Sequence, residues 1–181
     1  MQSNKLSVRD LCQIAIFTAI ICICAQISIP MPYGVPLTLQ TFAIPLAGII
    51  LGPKKGTLAV LVYILIGAIG MPVFSGFKGG LNVVVGATGG FILSFPLMTL
   101  AAGIGEKKNS KVSLTLGVVL GILVNYLCGI FYFSFIMMSD LRTAFIACVL
   151  PFIPTDIIKI ILVIVFGSKL KKDLVKSKVL T

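Results

Sequence analysis

Long uncharged, apolar runs fill the chain, and charged residues punctuate them. Positions 11–53 carry no charge, too long a stretch for one membrane helix of about 20 residues. The break falls at Pro30-Met31-Pro32-Tyr33-Gly34-Val35-Pro36, where three prolines and a glycine cannot continue a helix. Spans are therefore predicted at 11–29 and 37–51. Further uncharged runs predict spans at 56–77, 79–105 and 112–139. A last one is predicted at 143–168, interrupted only by Asp156 and Lys159. The fourth run is irregular: five glycines fall between Gly76 and Gly89, and Gly90 is a sixth. Each costs about 1 kcal/mol in a helix interior. A clean helix is expected only from about Gly90 to Gly103. Non-helical backbone ahead of it, at membrane depth, must be buried in protein or line a cavity.

Composition turns this pattern into a class. The chain has 181 residues, 58% of them hydrophobic and 11% charged, with a mean hydropathy of +1.14. A globular domain carries about 25% charged residues. Six spans of about 20 residues leave only short loops and tails. The expected fold is an all-α polytopic membrane protein of six transmembrane helices, one domain over 1–181. With the N-terminus inside, twelve basic residues fall on the inner side: Lys5, Arg9, Lys54, Lys55, Lys107, Lys108, Lys111, Lys169, Lys171, Lys172, Lys176 and Lys178. Only Lys78 and Arg142 fall outside, with Lys159 inside a span. This positive-inside bias places both termini in the cytoplasm. It makes the glycine-rich segment an extracellular loop between helices 3 and 4, next to a cavity that opens outward. It also accounts for the net charge of +10 without nucleic acid, since such residues face anionic lipid headgroups. Lys5 and Arg9 ahead of an apolar run mimic a secretory signal. The run exceeds signal length and no A-x-A site follows, so an uncleaved first helix is expected.

Candidate chemistry is sparse. Histidine is absent and none of the five cysteines forms a CxxC pair, which argues against a zinc site. Asp156 and Lys159 lie three residues apart and share a helix face. Ionisable residues inside a span point to function, although a structural ion pair would use the same spacing. Gln40 and Asn125 are the next deep polar groups, suited either to interhelical hydrogen bonds or to a ligand. Phe74, Phe77, Phe91 and Tyr126 could line a cavity wall or fill the core. Small residues recur at helical spacing in Ala15/Ala19, Gly48/Gly52 and Gly117/Gly121. Such pairs serve internal packing or docking of another membrane subunit. The segment from Gly52 to Thr57 lacks the spacing of a phosphate loop. Asp156 is the sole deep acid, so no carboxylate dyad forms and no enzyme is expected. A channel would call for polar residues through the whole bilayer depth, and the deep polar groups are few. Uphill movement of a solute would draw on a gradient or on another subunit.

The runs from Val35 to Ala43 (VPLTLQTFA), Leu46 to Gly56 (LAGIILGPKKG) and Leu65 to Phe74 (LIGAIGMPVF) strongly resemble the BioY family. So do Gly76 to Gly80 (GFKGG), Thr88 to Phe91 (TGGF) and Ile153 to Lys159 (IPTDIIK). Its members are biotin-binding S components of energy-coupling factor (ECF) importers in prokaryotic plasma membranes, and S components for other vitamins share the fold. The resemblance implies six helices and a biotin pocket near the outer face. It implies that Asp156 accepts from a ureido N–H, and that Lys159 holds Asp156 ionised or donates to the ureido oxygen. Gln40 and Asn125 would complete the polar contacts, with Tyr126 in the pocket and Phe74, Phe77 and Phe91 covering the apolar part of the ligand. Backbone N–H groups around Gly79, Gly80 and Gly89 would receive the carboxylate. Lys78 departs from the small or amide residue of some relatives and would pair with that carboxylate. Ala15 and Ala19 match an alanine pair that docks on a transmembrane coupling subunit. Two ATPase subunits consume the ATP, and this chain needs no cofactor.

Overall fold

The computed structural model describes residues 6–177; Lys5 and Lys178 lie outside the described residues. Among the described residues there are seven α-helices: α1 (Val8–Gln26), α2 (Gln40–Ala68), α3 (Leu81–Val84), α4 (Gly89–Lys107), α5 (Lys111–Met137), α6 (Leu141–Cys148) and α7 (Ile153–Lys176). Between α1 and α2 lies a two-stranded ribbon of β1 (Ser28–Ile29) and β2 (Leu37–Thr38), antiparallel with Ser28 opposite Thr38. Among the described residues, α1, α2, α4 and α5 are long and apolar enough to cross a membrane. The α6–α7 pair, bent by 54°, supplies a fifth if counted as one span.

Two expected spans run together in α2, which is interrupted at Gly52 (φ 81°, ψ 171°), a conformation glycine adopts freely. The chain doubles back there. A Cβ added to Gly56 would stand 2.7 Å from the Ala47 carbonyl oxygen, and the Gln40 side chain reaches the Tyr63 hydroxyl at 2.7 Å. A straight helix would hold Gln40 and Tyr63 about 35 Å apart. The predicted helix to position 77 stops instead at Ala68. Gly70 has φ +108° and Pro72 follows, a combination that cannot continue a helix. The run expected at 143–168 is also corrected. It divides at Pro151, whose ring removes an N–H and forces the bend between α6 and α7. Asp140 caps α6, accepting from the Thr143 hydroxyl at 2.6 Å and the Thr143 N–H at 3.2 Å. These bonds, the hydroxyl's first, hold its carboxyl below the usual carboxylate range.

Glycine sets the helix spacing. Cβ atoms on Gly48, Gly117 and Gly121 would collide with the carbonyl oxygens of Thr99, Ala101 and Met98, so Gly48 and the Gly117/Gly121 stripe pack internally, whereas a Cβ on Gly52 would meet nothing within 4 Å. Ala15 and Ala19 differ, because both are exposed on α1. Large apolar side chains also face outward, among them Ile23, Ile69, Leu127 and Phe135, as lipid-facing helices require.

Candidate functional site

The irregular segments meet the helices around a cavity of about 400 Å³, within the size range of small-molecule sites. Its wall comes from the strand and turn at 34–41, the segments at 74–78 and 82–88, and side chains of α4, α5 and α7. Eight of the eleven predicted ligand residues line it: Gln40, Phe74, Lys78, Phe91, Asn125, Tyr126, Asp156 and Lys159.

At the α7 side sits the buried ion pair. Pro154 in the first turn of α7 and the bend before it turn Asp156 inward. Lys159 Nζ stands 2.8 Å from Asp156 Oδ1, with side-chain exposures of 8% and 4%. The ammonium also donates to the Thr38 carbonyl at 2.8 Å and to Thr41 Oγ1 at 2.9 Å. An ammonium has three protons, and each has a protein acceptor. Lys159 therefore reaches a ligand oxygen only by releasing one of them. Asp156 Oδ1 also accepts from Thr41 Oγ1 at 2.9 Å, and Oδ2 accepts from the Tyr126 hydroxyl at 2.6 Å. A carboxylate has about four lone-pair sites; three are taken, and one on Oδ2 remains.

Asn125 provides a second unspent acceptor. Its Nδ2 donates to the Phe91 carbonyl at 3.0 Å and to Ser94 Oγ at 2.8 Å. A carbonyl only accepts, so the amide orientation is fixed and Oδ1 is left for a donor. Gln40 is held from both sides. Its Oε1 accepts from Thr38 Oγ1 at 3.0 Å and its Nε2 donates to Tyr63 at 2.7 Å, leaving one amide proton.

Apolar walls complete the cavity. The Phe74 ring meets Tyr63 edge-on at 5.5 Å and lies over Gly67, while the Phe91 ring lies over Gly129. Phe77 is 72% exposed and stands outside the lining. Lys78 is exposed at the cavity wall. Its ammonium makes no ion pair or side-chain hydrogen bond among the described residues. The aspartate–lysine pair is neutral, so Lys78 leaves the cavity with one uncompensated positive charge.

The three glycines expected to hold a carboxylate stand outside the lining. The Gly80 N–H donates to the Gly67 carbonyl at 2.7 Å and the Gly89 N–H to Gly86 at 2.8 Å, so both donors are engaged. A Cβ on Gly79 would strike the Met71 carbonyl and one on Gly89 the Val84 carbonyl. Close backbone packing is what Gly79 and Gly89 require, and Gly80, at φ +101°, needs glycine for its backbone conformation. Sequence reasoning passed over Tyr63, Ser94 and Gln26, whose partners lie far away in the chain. It set Thr38 and Thr41 only beside Gln40.

An apolar bundle wrapped around a cavity with a neutralised ion pair, two free acceptors and a free cation defines a multi-pass membrane protein that encloses a small polar solute. The comparisons narrow that class. The BioY family profile matches residues 1–176. A biotin transporter BioY of Thermotoga maritima is 42% identical over 165 residues, covering 91% of this chain and 96% of the relative. A probable biotin transporter BioY of Pyrococcus horikoshii is 40% identical over 163 residues, covering 90% and 96%. The crystal structure of the S-component for biotin from an ECF-type ABC transporter superposes with a TM-score of 0.84 at 31% identity, over 95% of each chain. This chain belongs to the BioY family.

Proposed function

We propose that this chain is the biotin-binding subunit of an ECF-type importer in a prokaryotic plasma membrane. The observation that carries the reading is the pair of unspent acceptors, Asp156 Oδ2 and Asn125 Oδ1, in a cavity with one surplus cation. Biotin presents two ureido N–H donors, an apolar thiophane ring and a carboxylate. The acceptors take the N–H groups, Gln40 completes the polar contacts, and Phe74 and Phe91 cover the ring. Lys159 keeps Asp156 ionised. Six spans follow when the two arms of α2 are counted separately and α6–α7 is counted as one. The basic residues place both ends in the cytoplasm and the glycine-rich loop outside. Calorimetric titration of the detergent-solubilised protein tests the ligand. Biotin is expected to bind one-to-one while thiamine and riboflavin do not. A folded, monodisperse sample that ignores biotin contradicts the reading.

Two roles have separate tests. Lys78 neutralises the biotin carboxylate, and because it is exposed the pairing is modest. Lys78→Gln is expected to weaken biotin up to about fivefold and to leave biotin amide unchanged, as read by competition binding. Equal losses for both ligands would remove Lys78 from the carboxylate. Ala15 and Ala19, exposed on α1, form the docking face for a transmembrane coupling subunit that two ATPases drive. Ala15→Leu with Ala19→Leu is expected to leave biotin affinity intact and to abolish both co-purification with that subunit and cellular uptake.

A further inference from the structure

Residues 74–78 form a strap along one side of the cavity: Phe74, Ser75 and Lys78 line it. The strap is a tight antiparallel turn. Phe74 N–H donates to the Lys78 carbonyl at 2.9 Å, and Lys78 N–H returns a bond to Phe74 at 3.3 Å. At its tip Gly76 has φ +71° and Phe77 φ +55°. The first suits glycine, but the second is disfavoured for a residue with a Cβ. The Phe77 ring is 72% exposed, so burial of that ring does not offset the strain. Something else must hold the turn.

One side chain does so. Gln26, the last residue of α1, accepts from the Phe77 N–H through Oε1 at 2.9 Å. Its Nε2 faces the Val73 and Phe74 carbonyls at 3.1 and 3.2 Å, and its own-helix Cys22 carbonyl at 3.3 Å. The acceptors on the Nε2 side are all carbonyls, which fixes the orientation of the amide. Three of its four contacts go to 73–77, 47 to 51 residues away in the chain. Nearby, the strap's other ties among the described residues are the buried Phe74 ring against Tyr63 and Gly67, the Gly80–Gly67 bond at 2.7 Å and a long Tyr63 contact to Val73 at 3.4 Å. None of them reaches the tip. We infer that Gln26 is a latch: a positioning residue that holds the 74–78 strap closed over the cavity and so sets how slowly the bound solute leaves. The inference rests on the biotin reading for its ligand, but not for its mechanics. Gln26 stands outside the lining, so its removal takes no contact from the ligand. The bonds it makes are the ones that must break for the tip of the strap to swing away.

Gln26→Met keeps the length and helix preference of the side chain and removes its hydrogen bonds. Hydrogen exchange of the ligand-free protein, followed by mass spectrometry, reads the latch directly. The 74–78 segment is expected to exchange about tenfold faster or more, with α4 and α5 unchanged. Biotin dissociation is expected to accelerate by a similar factor, with the association rate changing far less. Adding Phe77→Gly, which adopts positive φ without strain, is expected to recover part of the protection. Unchanged exchange at 74–78 in the folded variant would overturn the latch whatever the ligand. Faster exchange without faster biotin release would overturn its control of release. Failure of the wild-type chain to bind biotin, with the exchange result as expected, would overturn the ligand and leave the latch standing.

Discussion

Asp156→Asn is expected to abolish tight biotin binding and to lower the thermal midpoint of the purified protein. The two effects have one origin. Lys159 is 6% exposed, and loss of the carboxylate strands its charge, at a cost of about 3–5 kcal/mol when one partner of a buried pair is removed. The new amide also puts an NH2 where one oxygen stood, facing either Lys159 and Thr41 or Tyr126, all of which already donate. A ureido N–H loses a charged acceptor as well. Hydrogen bonds to charged groups contribute about 1.5–3 kcal/mol, so affinity is expected to fall about a hundredfold. Asp156→Asn with Lys159→Met separates folding from recognition. Removing both charges restores the thermal midpoint, because an apolar replacement of a buried pair is often neutral, but it does not restore binding. Recovery of biotin affinity in the double variant would reduce Asp156 to a structural counter-ion.

The next largest effect is expected from Gly67→Ala and Gly129→Ala, two positions that never touch the solute. A Cβ on Gly67 would stand 2.6 Å from Phe74 Cε1, and one on Gly129 would stand 2.6 Å from Phe91 Cε2. Helix backbone lies behind each ring and the cavity lies in front. Relief therefore comes by pushing the ring into the space meant for ligand. Overpacking of this kind costs about 1–3 kcal/mol, and the expected loss of biotin affinity is tenfold or more. Phe91→Leu in the Gly129→Ala background shortens the ring and is expected to recover part of that loss. Competition binding with the three variants checks this; undiminished affinity in both alanine variants would mean the rings retreat elsewhere.

Much of this architecture was legible because bilayer and helix impose simple rules. Uncharged runs marked the helical stretches, the prolines and glycine at 30–36 marked the break between α1 and α2 though not the ribbon that takes 28–29 and 37–38 from the expected spans, and glycine density foretold a clean helix only from about Gly90. The spacing of Asp156 and Lys159 placed them on one face, where they meet at 2.8 Å. What stayed hidden was which groups are already spent. Gln40 finds Tyr63, Asn125 finds Ser94 and Gln26 finds Phe77 at separations of 23, 31 and 51 residues. No local pattern encodes those pairs. The glycines misled for a related reason. Gly79, Gly80 and Gly89 look alike in a sequence whether backbone must bind an anion or must pack closely, and here the surroundings of Gly79 and Gly89 require packing while Gly80 needs its positive φ. Pro151 carried a signal for the bend between α6 and α7, but two helices joined at an angle and one continuous span share the same hydropathy.

The central claim is that Asp156 and Asn125 accept the two N–H groups of a ureido ring. The measurement that tests it most directly compares biotin with a biotin methylated at both ring nitrogens, by calorimetry on the same purified protein. Methylation removes both donors and leaves the thiophane ring and the carboxylate in place. Biotin is expected to bind tightly at one site and the dimethyl compound at least a thousandfold more weakly, because two buried acceptors would be left unpaired. Comparable affinities for the two would contradict the claim and move recognition to the apolar walls and Lys78.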